Sequence, residues 1–209
     1  MFKYKTIENF LSEVDFKSLC SLKLRKVSEK EISVYHNAIY KDGKTKVECI
    51  EEELLKRLQK NYHEKAIAIL EELAPKKAPL YEYSEFHIIE TGSKCKFPIH
   101  SDTASKLLSG VIYLMPESNK GTFLYENRIG KNPVEIEWKQ NKAFFFSREE
   151  GKSWHSYEGD KVSNRIALVY NLMTTNIKGV CEVEKTNYQI NRLKEFANPY
   201  LLRFFNRVL

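Results

Sequence analysis

A change of rhythm at Pro75 constrains this chain more than any other feature. From about residue 49 to 73, Ile50, Leu54, Leu58, Tyr62, Ala66, Ile69, Leu70 and Leu73 recur every three to four positions among glutamates and lysines. That spacing predicts an amphipathic helix. Pro75 and Pro79 stop it, because proline lacks the amide hydrogen a helix needs and clashes with the preceding turn. Beyond them come only short β-branched and aromatic runs, at 81–89, 107–115, 121–125, 134–138, 143–146 and 165–172. Turn clusters such as Pro116-Glu117-Ser118-Asn119-Lys120-Gly121 separate them. Short strands joined this way predict a β-sandwich or barrel rather than a parallel α/β sheet. The expected fold class is mainly β with flanking helices and a jelly-roll core.

The flanks read differently. Ile7, Phe10, Leu11, Val14, Leu19 and Leu22 suit one or two short amphipathic helices, with Ser12 or Asp15 as a cap. Residues 34–40 form a strand entering the turn Lys41-Asp42-Gly43. Past Asn187, helical spacing returns through Ile190, Leu193, Phe196 and Leu201, predicting a tail helix packed on the outside of the barrel. A chain of 209 residues can bury one sizeable core, so a single domain is expected over 1–209. Its parts are a helical portion at about 1–78, the jelly roll at about 79–175 and a helical tail at about 187–209.

Composition mainly excludes. No stretch approaches the roughly 18–20 uninterrupted apolar residues of a membrane helix, and charges run through the opening MFKYKTIENFLSEVDF in place of an apolar signal core. Cys20, Cys49, Cys95 and Cys181 are widely spaced, with neither a CxxC zinc pattern nor the density of a disulfide scaffold. Reduced thiols and a cytoplasmic setting are expected. The net charge of +6 comes from lysines scattered among glutamates, which describes a mixed-charge surface rather than a nucleic-acid stripe. The loop cations Arg128, Lys131, Arg148 and Lys152 are read as solvated.

The chemistry concentrates in Phe97-Pro98-Ile99-His100-Ser101-Asp102. In extended backbone, residues i and i+2 project to the same side, so His100 and Asp102 can reach one ion. Iron(II) in oxygenases is held by two histidines and one carboxylate on a single face, leaving three positions open. The chain must then supply a second histidine from elsewhere. His155 suits best, because it lies between the apolar run 143–146 and the strand 165–172, at the rim of a barrel. His36 and His63 fall in the helical part, and His87 lies inside a strand. Arg165, ten residues past His155, begins a strand on which Arg165, Ala167, Val169 and Asn171 share one face.

Taken in order, His100-Ser101-Asp102, Val111-Ile112-Tyr113-Leu114, Lys120-Gly121-Thr122-Phe123, Phe144-Phe145-Phe146-Ser147, Trp154-His155 and Arg165-Ile166-Ala167-Leu168 resemble the iron(II)/2-oxoglutarate-dependent dioxygenases, nearest to their prolyl-4-hydroxylase-like branch. The opening Ile7-Glu8-Asn9-Phe10-Leu11-Ser12 resembles that family's lead-in helix. The resemblance implies a cupin-like double-stranded β-helix, with His100, Asp102 and His155 as the iron ligands and catalytic centre. It implies that Arg165 clamps the distal carboxylate of 2-oxoglutarate, that Tyr113 adds a phenolic hydrogen bond there, and that Thr122 belongs to the same pocket. A planar guanidinium suits such a clamp because it gives a carboxylate two parallel charge-assisted bonds. Where relatives carry a tyrosine about ten residues before the first histidine, this chain has Glu90, with Tyr83 and His87 further upstream.

The implied cofactors are iron(II), 2-oxoglutarate and dioxygen, with ascorbate as an accessory reductant. The implied reaction couples decarboxylation of 2-oxoglutarate to succinate and carbon dioxide with hydroxylation of a protein side chain or a small molecule. Two alternatives stand beside it. A nucleic-acid demethylase of the same superfamily is disfavoured, because the two arginines its members place beyond the distal histidine in a longer motif are missing. A catalytically silent jelly-roll binding protein would keep the triad for structure.

Overall fold

The helix expected from the 49–73 pattern forms as α2 (Glu52–Leu73) and lies across the outer face of a large sheet. Leu55, Leu58, Tyr62, Ala66, Ile69 and Leu70 are its buried stripe. They pack with Phe86, Ile88, Leu108, Ile112, Phe145 and Leu168 of the strands beneath. Each fully buried leucine or isoleucine contributes roughly 1.5–3 kcal/mol, so this contact is the main cement of the molecule. The computed structural model describes residues 2–205, with side chains except those of 199 and 202–205. The ends of the expected 1–209 span, residue 1 and residues 206–209 of the tail, lie outside the described residues.

The large sheet contains β1 (Tyr4–Ile7), β10 (Ala143–Phe146), β7 (Lys106–Met115), β12 (Arg165–Met173), β5 (Tyr83–Thr91), β3 (Ala38–Ile39) and β4 (Thr45–Lys46) in that order, with β2 (Ile32–Tyr35) also paired to β5. The small sheet runs β6 (Lys96–His100), β11 (Trp154–Glu158), β8 (Thr122–Tyr125), β9 (Val134–Ile136). Pairing is antiparallel throughout. The two sheets form a jelly roll, as the short-strand pattern predicts. Alternation along β12 divides the labour: Leu168, Tyr170 and Leu172 join the core under α2, while Arg165, Ala167 and Val169 face a cavity on the other side. Gly110 of β7 is glycine because a Cβ there would stand 2.3 Å from the Phe145 ring.

The structure departs from expectation at the flanks. The portion at 1–78 holds four strands besides α1 (Glu13–Cys20) and α2, and β1 closes the sheet edge by pairing with the run 143–146. The strand expected at 34–40 is broken into β2 and β3, and His36 sits in their connection. Of the two candidate caps, Ser12 is the one used, its hydroxyl accepting from the Asp15 amide. Asp15 is instead buried, held by Arg57, Asn61 and Tyr62 of α2. Two strands, β6 and β11, and the helix α3 (Ile177–Glu184) were not foreseen as elements. In β11 the cavity takes the alternate positions His155 and Tyr157, and β6 is five residues long and contains Pro98, so neither shows a clear apolar periodicity.

The tail helix α4 (Tyr188–Phe205) forms, but Ile190, Leu193 and Phe196 face solvent. Its inward face is polar: Glu195 accepts from the Ser105 amide, Lys194 pairs with Glu150, and Asn191 accepts from Arg148. Arg148, read from sequence as a solvated loop cation, is buried at 1% exposure because Glu184, Glu150 and Asn191 converge on its guanidinium. All four cysteines are free thiols. No helix among the described residues is long and apolar enough to cross a membrane.

Candidate active site

The pairing of β6 with β11 sets His100 directly opposite His155. Their ring centroids are 4.1 Å apart. Asp102, two residues past His100, brings its Oδ1 to 3.9 Å from His100 Nε2. One candidate ligand atom from each of the three residues lies within 4.8 Å of the others, and Asp102 and His155 are buried. His100 Nδ1 is 3.0 Å from the Pro98 carbonyl, and His155 Nδ1 is 3.0 Å from the Ser153 carbonyl. A carbonyl only accepts, so each Nδ1 carries the proton and each Nε2 keeps its lone pair for a metal.

Electrostatics keep all three side chains in the ligating form. Burial, joined by the neighbouring His155, pushes the His100 pKa down to about 3, and burial likewise lowers that of His155. Both imidazoles are neutral at pH 7. Burial alone would raise the Asp102 pKa, but the charge of Lys106, the two imidazoles once they gain protons at low pH, and a hydrogen bond from Ser109 outweigh it, so the carboxylate stays ionised. Two neutral imidazoles and one carboxylate, buried on one side of a cavity, match the donor set of a non-haem iron(II) centre.

The cavity, of about 130 Å³, runs from this trio along the inner face of the large sheet. Its walls are apolar in the middle, where Ile89, Val111, Ala167 and Val169 meet Phe146. At the far end stands Arg165, 3% exposed. Its guanidinium lies 4.5 Å from the centre of the Tyr157 ring, 5.0 Å from Trp138 and 5.8 Å from Tyr113. Among the described residues no carboxylate lies within ion-pair distance of it, and its one hydrogen bond, to the Lys120 carbonyl, is 3.5 Å long. A buried cation without a counter-ion is costly, and burial accordingly lowers its pKa. An anion placed at this end of the cavity would compensate that charge.

The remaining sequence candidates divide. Thr122 lines the cavity. Tyr113 stacks on Trp138 and turns its hydroxyl to Thr122 Oγ1, at 3.0 Å, and to the Ile136 carbonyl, at 3.2 Å, while accepting from the Thr122 amide. Its phenol thus already has protein partners. Glu90 faces away from the cavity toward Asn164. Tyr157 lies over Arg165 and bonds Thr91; burial raises its pKa to about 12 against the pull of the Arg165 charge. Sequence reasoning missed Tyr157 and Thr91. The available signal was alternation: Tyr157 is two residues past His155 on one strand, and both line the cavity.

Comparison with solved structures bears on this geometry. A prolyl-4-hydroxylase from Pseudomonas putida superposes with a TM-score of 0.58 at 11% identity, over 84% of this chain and 95% of that one. The fold is that of the 2-oxoglutarate and iron(II) oxygenases. A prolyl hydroxylase from Trichoplax adhaerens, solved with a hypoxia inducible factor peptide fragment, gives 0.56 at 13% identity over 85% and 86% of the two chains. A 2OG-Fe(II) oxygenase family oxidoreductase from Burkholderia pseudomallei gives 0.56 at 13% over 81% and 84%. No family sequence model matches the chain, and no curated protein matches it by sequence. On this oxygenase fold the histidine pair and the arginine stand at opposite ends of one cavity.

His87 extends the inner face beyond the trio. Burial, with the charges of His36 and Lys106, pushes its pKa down to about 3. That lies below the roughly 6.5 of a free histidine, so the folded protein binds fewer protons than the unfolded chain. The resulting stabilisation is complete above about pH 6.5 and is lost as pH falls from there toward 3. One such group contributes a slope of up to about 1.4 kcal/mol per pH unit, and His100 and His155 act in the same direction. In thermal melts between pH 6.5 and 4, H87Q should flatten the acid decline by one share; an unchanged slope would assign it to other groups.

Proposed function

We propose that this protein is an iron(II)- and 2-oxoglutarate-dependent dioxygenase that hydroxylates a protein side chain or a small molecule, releasing succinate and carbon dioxide. The observation that carries the reading is one cavity with a His-Asp-His trio at one end and, at the other, a buried arginine without a carboxylate partner among the described residues. His100 Nε2, His155 Nε2 and Asp102 Oδ1 would hold the ion, which when bound supplies activation of dioxygen. Arg165 binds the distal carboxylate of 2-oxoglutarate with two N–H donors, and Thr122 and Tyr157 flank it. The attraction between the two charges then offsets the cost of keeping the guanidinium out of water. Ile89, Val111, Ala167, Val169 and Phe146 exclude water from the path between the two ends. Ser109 holds Asp102 Oδ2 and so fixes the orientation of the carboxylate. The peptide bound by the Trichoplax relative is compatible with a protein substrate here, and the four free thiols with a cytoplasmic setting.

The test is anaerobic titration of the metal-free protein with iron(II) and then 2-oxoglutarate, followed by the weak visible charge-transfer absorption of the chelate. Air is then admitted, with ascorbate present as reductant, and succinate is measured. Absorption and succinate are both expected. Iron binding without any succinate would leave a silent binding protein, and no iron binding would end the oxygenase reading.

A further inference from the structure

The two oxygens of Asp102 are not equivalent. Oδ2 accepts a hydrogen bond from Ser109 Oγ at 2.5 Å. Oδ1, the oxygen 3.9 Å from His100 Nε2, is occupied by Lys106 Nζ at 2.9 Å. An ion shared with the imidazoles needs that same oxygen. Lys106 is the first residue of β7, and its side chain lines the cavity with a quarter of its surface exposed. A lysine ammonium is a compact point charge on a flexible stem, well suited to move.

A destination is at hand on the same inner face. Register sets Glu85 opposite Asn171, and Asn171 opposite Ser109. The Glu85 side chain is 20% exposed, and among the described residues its ion-pair contact is His87 Nε2 at 3.2 Å. That imidazole is neutral at pH 7 because burial holds its pKa near 3. Burial raises the Glu85 pKa, and the charge of Lys106 is the foremost influence opposing the rise. Glu85 is a carboxylate short of a cation; Lys106 is the cation that loses its place when a metal arrives.

We propose that Lys106 is a displaceable counter-ion of the metal centre, holding the metal-facing oxygen of Asp102 in the metal-free protein and moving to Glu85 when a divalent ion takes that oxygen. The inference rests on the trio being a metal site. Loading is then an exchange of one cation for another. The buried Asp102 charge is compensated in both states, and the affinity lies below what the three ligands alone would confer. The charge a substrate meets at the outer end of the cavity also depends on loading, because Glu85 is neutralised only once the metal is in.

Anaerobic titration with cobalt(II), read from its visible absorption, tests this on wild type, K106M, K106Q, E85Q and K106M/E85Q. Removing a positive charge a few ångströms from a divalent ion should tighten binding at least about tenfold in K106M and K106Q. E85Q should weaken it severalfold, and in the K106M background that effect should largely vanish, since no ammonium then needs a destination. Misfolding can only weaken binding, so tightening cannot arise from damage; K106Q keeps a polar side chain should K106M fold poorly. Equal or weaker binding in both Lys106 variants overturns the proposal, as does an E85Q effect that is the same with and without Lys106. Cobalt binding that H155A abolishes but Lys106 variants do not tighten sinks the counter-ion role alone. No cobalt binding to wild type sinks the metal site with it.

Discussion

Arg165→Met should leave metal binding within about twofold of wild type while lowering 2-oxoglutarate affinity by about 100- to 1,000-fold. The magnitude follows from the setting. Breaking a buried charge pair costs about 3–5 kcal/mol, and Arg165 is 3% exposed with no carboxylate beside it among the described residues. The co-substrate would therefore be its only full counter-charge. Stability without 2-oxoglutarate should not fall, because the substitution removes an unpaired buried cation and keeps an unbranched apolar side chain against Tyr157, Trp138 and Tyr113. Thermal melts of the metal-loaded protein, with and without 2-oxoglutarate, read both effects, since a ligand that binds only the folded state raises Tm. Wild type should show the rise and R165M should lack it. R165K should recover only part, because an ammonium cannot make the two parallel bonds. A full rise in R165M would assign the co-substrate carboxylate to another group.

His155→Ala should lower iron(II) affinity by more than about a hundredfold and abolish the visible absorption of the 2-oxoglutarate chelate. Even a residue that only orients a ligand is worth 10–100-fold, so loss of a ligand should exceed that. Without metal the change is mild: His155 is neutral and packs edge-on to Phe146, so its loss leaves a small cavity rather than an unpaired charge. Isothermal titration with iron(II) under nitrogen, alongside circular dichroism of the metal-free variant, separates a lost ligand from a lost fold. Less than a tenfold change with the fold intact would show that the ion, if bound, is held elsewhere.

The parts of the site that were legible in sequence are those whose signal is local. His100 and Asp102 stand two apart in extended chain, and Arg165 shares a face with Ala167 and Val169 because strands alternate. The long helix announced itself because one whole face of it is core. Illegible were residues whose partners lie far along the chain. Arg148 reads as a loop cation until Glu184 and Asn191, 36 and 43 residues on, close around it. The tail helix shows an apolar stripe at Ile190, Leu193 and Phe196, yet the polar side docks, because Ser105, Glu150 and Arg148 offer it hydrogen bonds and an ion pair. Strand β11 escaped notice because His155 and Tyr157 of the site take its alternate positions, and β6 because it is short and contains Pro98.

By itself, the sequence determined the long helix and its buried face, the run of short strands that follows it, and the kinds of donor available, since backbone periodicity and turn chemistry act over a few residues. Only the tertiary structure decided that His100 faces His155, that Arg165 has no carboxylate within ion-pair distance among the described residues, and that Lys106 rests on Asp102. Those facts depend on strand register, which is set by many weak cross-strand contacts summed over two sheets, and no short stretch of chain contains that sum.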